Sequence, residues 1–182
     1  MSVPLRLVAT ADAVALLRRL AERHGPLMMH QSGGCCDGSA PMCYPDGDFV
    51  VGDLDVLLGV LDLRLQVGAT AGDLPAGADA VPVWISGSQF EAWKHTQLVL
   101  DVVPGRGSGF SLESPEGLRF LSRGRAFTAD ENDALARDTP VLGKRWAARR
   151  PSGAGRRADR RGRGRRRVPG ADAPGRLLVT LP

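Results

Sequence analysis

Residues 10–30 read TADAVALLRRLAERHGPLMMH, and two hydrophobic periods meet inside that stretch. Ala13, Leu16, Leu17 and Leu20 fall at i, i+3, i+4 and i+7, the stripe of an amphipathic helix. Thr10 is a good N-cap, and Asp12 stands where the helix dipole favours an acid. Arg18, Arg19, Glu22 and Arg23 take the wet face. Gly25-Pro26 supplies the stop. Leu27 to His30 then form an apolar run too short for a helix and read as a buried strand. Upstream, residues 4–9 (PLRLVA) predict a short strand leading into the helix.

Downstream, the pattern turns mostly to strands. Residues 31–47 form a Gly-rich loop. Asp48 to Val51 and Leu54 to Leu63 predict strands around Gly52-Asp53. Residues 64–80, rich in Gly, Ala and Asp, predict a surface excursion. Val81 to Ile85 resumes strand character, with Pro82 at a strand start or edge. Ser88-Gln89-Phe90-Glu91 fits a capping box and predicts a short helix carrying Phe90, Trp93 and Lys94. Gln97 to Val103 is a strand and Gly105 to Gly109 a turn. Phe110 to Leu112 and Leu118 to Leu121 predict a hairpin around Ser114-Pro115-Glu116-Gly117. Thr128-Ala129-Asp130-Glu131 is a second capping box, opening a helix to about Arg137. The order predicts a small α+β domain over residues 1–138, with mostly antiparallel or mixed β-structure and an N-terminal amphipathic helix.

The 182 residues carry a formal charge of +4, but unevenly. Residues 139–182 hold 13 basic residues against Asp159 and Asp172, a net of +11, while residues 1–138 carry −7. The basic stretch is rich in Arg, Gly and Pro and offers little to bury, so it predicts a disordered tail. Such a tail attracts anions non-specifically. No aromatic residue lies between Arg149 and Arg176 to stack on bases, so a specific nucleic-acid partner is not expected. No window approaches the ~18 consecutive apolar residues of a membrane helix. No secretory signal is visible, and three cysteines are too few for a disulfide scaffold, so a cytoplasmic location is expected.

All three cysteines lie in the stretch from His30 to Cys43, HQSGGCCDGSAPMC. Thiolate and imidazole are ligands for zinc or iron, and a Gly-rich loop can gather them around one point. His30, Cys35, Cys36 and Cys43 are therefore the candidate metal ligands; the same thiols could instead serve as a redox site. A thiol nucleophile would need a base, and His30 or His95 could supply one. Ser32 and Ser39 show no His/Asp pairing in the sequence, which gives a serine hydrolase no support. Gly105 to Gly109 is glycine-rich, but a strand follows it where a phosphate-binding loop needs a helix.

The stretch HQSGGCCDGSAPMCYP, with HGPLMMHQSGG before it and GDLDVLLG and SGSQFEAWKHTQLVLDVVPGRGSGFSLESPEGLRFLSR after it, resembles the domain of unknown function 779 family over roughly residues 6–132. The resemblance implies a small bacterial cytosolic protein, often encoded beside an aldehyde dehydrogenase. Residues 62–80 and the tail depart from the family pattern. A fainter, fold-level likeness is to the A-type iron–sulfur carrier (HesB-like) proteins, which pair an amphipathic helix with a Gly-Gly-Cys loop; their C-terminal cysteine pair has no counterpart here. Three functions follow as expectations. One is an accessory protein with a metal or redox thiol site, associated with an aldehyde dehydrogenase. Another is a small thiol-dependent enzyme acting on an aldehyde or thiol adduct. The third is a structural partner subunit without metal.

Overall fold

A computed structural model describes residues 3–33, 40–65, 79–106, 109–147 and 180–181. Cys35, Cys36 and most of the expected 62–80 insertion and tail lie outside these residues. The described chain is an α+β fold in which strands gather into two mixed sheets.

Strand β1 (Leu7–Thr10) runs directly into helix α1 (Ala11–His24). Thr10 caps the helix, its side chain accepting from the Ala13 N–H, and Gly25 closes it at a φ of 79° with its N–H on the Ala21 carbonyl. The stripe of Ala13, Leu16, Leu17 and Leu20, joined by Val14, is buried. Strand β2 (Leu27–Gln31) follows and is buried along its whole length.

The first sheet has the order β7-β6-β1-β9. Its strands β6 (Thr96–Pro104) and β7 (Leu118–Ala126) are antiparallel, while β1 lies parallel to β6 and to β9 (Thr180–Leu181). The second has the order β3-β2-β5-β4-β8, built from β3 (Pro41–Pro45), β4 (Val56–Asp62), β5 (Ala80–Ile85) and β8 (Val141–Leu142) around β2. Here β2 is parallel to β5 and the other pairs are antiparallel. One apolar cluster joins α1 to both sheets, with Leu16, Leu17, Leu27, Met29, Val83, Leu100 and Phe120 at its centre. Helix α2 (Gly87–Trp93) buries Phe90 against Val56 and Ile85, while α3 (Ala129–Ala136) lies between β7 and β8 and α4 (Gly143–Ala147) follows β8.

Several local expectations need correction. Residues 41–45, expected as loop, form β3; its two prolines are tolerated because β3 is an edge strand. Asp48 to Val51 is not a strand. The turn at Asp46-Gly47, with Gly47 at a φ of 95°, instead throws Phe49 over the outer face of β2 and β3. Phe110 to Leu112 is not a strand either. The Leu112 N–H donates to the Cys43 carbonyl at 3.1 Å, while Phe110 stands exposed. The cap of α2 is Ser86, not Ser88: Ser86 has the extended backbone a cap requires and accepts from the Gln89 N–H. The Thr128 capping box forms with both of its hydrogen bonds. Beyond Asp138, β8 pairs with β4, and the Gly143 N–H donates to the Asp55 carbonyl at 2.8 Å.

Candidate functional site

Strand β2 distributes its side chains by the two-residue period of a pleated strand. Met29 and Gln31 face inward, toward α1 and the first sheet; Gln31 accepts a hydrogen bond from the Ser122 hydroxyl of β7 at 2.6 Å. Met28 and His30 face outward, and Ser32, one residue past the strand, meets His30 on that side. Across the antiparallel ladder His30 stands opposite Met42, and Met29 opposite Cys43. Directly opposed residues share a face. His30 and Cys43 therefore project from opposite faces of the sheet, and one metal ion cannot take both. That removes Cys43 from the four-residue ligand set.

Cys43 belongs to the core. It is a free thiol, fully buried, and burial together with the neighbouring Glu113 charge pushes its pKa far up. Its N–H donates to the Ser111 hydroxyl at 2.8 Å, and Ser111 in turn donates to the Glu113 carboxylate. Glu113 is 1% exposed, and burial raises its carboxyl above the usual glutamate range despite hydrogen bonds from Ser111 and the Phe120 N–H. This cluster ties the β6–β7 connection to the edge of β3.

The outward face carries the chemistry. His30 is 3% exposed, with Phe49 lying over it at 4.4 Å between ring centroids. Phe49 also stacks on Tyr44 at 4.9 Å. His30 Nε2 is 2.9 Å from Asp55 Oδ2, and His30 Nδ1 is 3.1 Å from the Ser32 hydroxyl. An ionised carboxylate only accepts, so in the neutral ring the proton sits on Nε2 and Nδ1 presents a lone pair. Asp55 is held by the turn that carries it: the Gly52 N–H donates to Asp55 Oδ2 at 2.7 Å, and the Asp55 N–H to the Gly52 carbonyl at 3.0 Å. Helices pack closely on either side of this turn. A Cβ on Gly143 would lie 2.1 Å from the Gly52 carbonyl oxygen, and one on Gly87 would lie 2.6 Å from that of Leu54.

The outward face therefore gathers His30, Asp55 and Ser32, of which only His30 was a candidate. Asp55 carries no local signal, because its partner is 25 residues away in the chain. Ser32 had one, since two residues along a strand returns to the same face. His95, the other suggested base, is exposed and meets Asn132 Oδ1 at 2.9 Å. Among the described residues, no group of three or more His, Cys, Asp or Glu side chains is arranged to hold a metal ion. Cys35 and Cys36 lie outside them.

A family model described as "Domain of unknown function (DUF779)" matches residues 16–126, more than half of the chain. The chain belongs to the DUF779 family. The match takes in β2, β3, the Asp55 turn and the β6–β7 pair. Comparison with curated proteins and with solved structures finds no match. Among the described residues, no helix is long and apolar enough to cross a membrane.

Proposed function

We propose that this DUF779 chain is an accessory protein that binds a zinc or iron ion through His30 and the loop thiols Cys35 and Cys36. The observation that carries this reading is the pairing of the buried His30 with the half-buried Asp55 at 2.9 Å. A ligating imidazole commonly donates its other ring N–H to a carboxylate, which fixes the tautomer and strengthens the ligand. Asp55 takes that part at Nε2 and leaves Nδ1 as the donor atom. Nδ1 faces Ser32, and Cys35 follows three residues after Ser32. Cys43 is left out of the set.

Metal content of protein purified without a His tag tests the reading. Stoichiometric metal is expected in the wild type and in Cys43→Ser, and loss is expected in the Cys35→Ser/Cys36→Ser double variant. Equal, sub-stoichiometric metal in all three would overturn it. The family resemblance supports an aldehyde dehydrogenase as partner and a reducing cytoplasmic setting. Co-purification of the two proteins, dependent on Cys35 and Cys36, is the expected result.

A further inference from the structure

We propose that Ser32 is a nucleophile for acyl transfer, activated by His30 and held in register by Asp55. The three side chains form a nucleophile–base–carboxylate series with contacts of 3.1 Å and 2.9 Å. That is the reach such a series needs before substrate tightens it. Asp55 fixes the ring proton on Nε2, so Nδ1 is free to take the hydroxyl proton. His30 is closed off beneath Phe49, whereas Ser32 is only half-buried and Gly33 beside it is exposed, so a substrate meets the hydroxyl first. The hydroxyls of Ser86 and Ser88 stand 3.1 Å and 3.4 Å from where a Cβ on Gly33 would be, so a side chain there would crowd the approach.

The substrate class is a small ester or thioester. Ser32 Oγ bonds to the acyl carbon as its proton passes to His30 Nδ1. The bond from that carbon to the leaving alcohol or thiol breaks, and His30 returns the proton to the leaving group. Water then repeats the sequence, releasing the carboxylic acid and restoring the hydroxyl. Ser32 and His30 are the catalytic residues and Asp55 a positioning residue. The inference does not rest on metal binding, and the two readings compete for the same lone pair.

The test is acylation of the full chain by p-nitrophenyl acetate, after removal of metal with chelator and with all three cysteines replaced by serine so that thiols do not react. An acetyl group on Ser32, located by peptide mass mapping, is the expected result. Ser32→Ala should lower the rate by at least ~100-fold, the smaller end of what a positioned base contributes. Asp55→Asn can donate to Nε2 and push the ring proton to Nδ1, so it should slow acylation similarly, with the fold checked by circular dichroism. Asp55→Glu should restore part of the rate. Acetyl groups only on lysines or the N-terminus, or a Ser32→Ala rate equal to the parent, would overturn the proposal. In the cysteine-containing protein, added zinc should protect Ser32 if His30 also binds metal. Acylation without zinc protection would sink the metal reading alone; zinc binding without acylation would sink this one alone.

Discussion

Glu113 is a carboxylate in a place water does not reach. Its pKa is raised in the folded state by burial, only partly offset by its hydrogen bonds. With the folded value above the unfolded one, the group favours folding below the unfolded value. That contribution disappears as pH rises through the folded value. Glu113→Gln keeps an acceptor for Ser111 and removes the buried charge. The variant should melt at or above the wild-type temperature at pH 8 and lose part of the wild type's gain on acidification toward pH 5. A variant melting well below the wild type at pH 8 would refute this. Asp62 has the opposite sign. Burial would raise it, but hydrogen bonds from the Arg64 side chain and backbone, with the Arg18 charge, hold it below the usual range. Its contribution is present near neutrality and fades as pH falls through the lowered value. Asp62→Asn should cost about 1–3 kcal/mol at pH 7, read from urea unfolding, with the deficit shrinking in acid.

At the scale of elements, the N-terminus of α1 joins two structures through one side chain. The Thr10 hydroxyl accepts from the Ala13 N–H and donates to Asp101 on β6 at 3.0 Å. Thr10→Ala should cost about 1 kcal/mol, while Thr10→Ser should recover most of it in the same unfolding experiment. At the other end of the fold, Gly143 abuts the Gly52 carbonyl. Gly143→Ala should push β8 and α4 off the Asp55 turn, because a backbone oxygen cannot rotate away. Overpacking of this kind costs about 1–3 kcal/mol. The variant should also show faster amide exchange at Val141 and Leu142. Unchanged exchange there would show that the turn gives way instead.

The same scale explains which elements were legible in advance. The helix stripe, its two caps, the apolar run of β2 and the Thr128 box were readable because each signal is local. Strand β3 was hidden by Pro41 and Pro45, which local rules read as loop and an edge position tolerates. Phe49 has the side chain of a strand residue but serves as a cover, and only the tertiary position of His30 reveals why. The site was half-legible. His30 stood out beside the cysteines, whereas the separation of His30 from Cys43 depends on the ladder register between β2 and β3.

At the scale of the whole molecule, the charge is divided between an acidic first 138 residues and an Arg-rich remainder. Attraction to polyanions should therefore belong to the remainder alone. Retention on heparin should fall steeply with salt for the full chain. It should be lost when residues 148–179 are deleted. Retention that survives the deletion would place the attraction on the acidic part instead.

Tyr44 is the one tyrosine in the chain. Its ring rests on Phe49, and Phe49 rests on His30. The protein thus carries its own spectroscopic tag: the single tyrosine ring resonance should move whenever an ion, an acyl group or a change of protonation rearranges the imidazole beneath, with no added label.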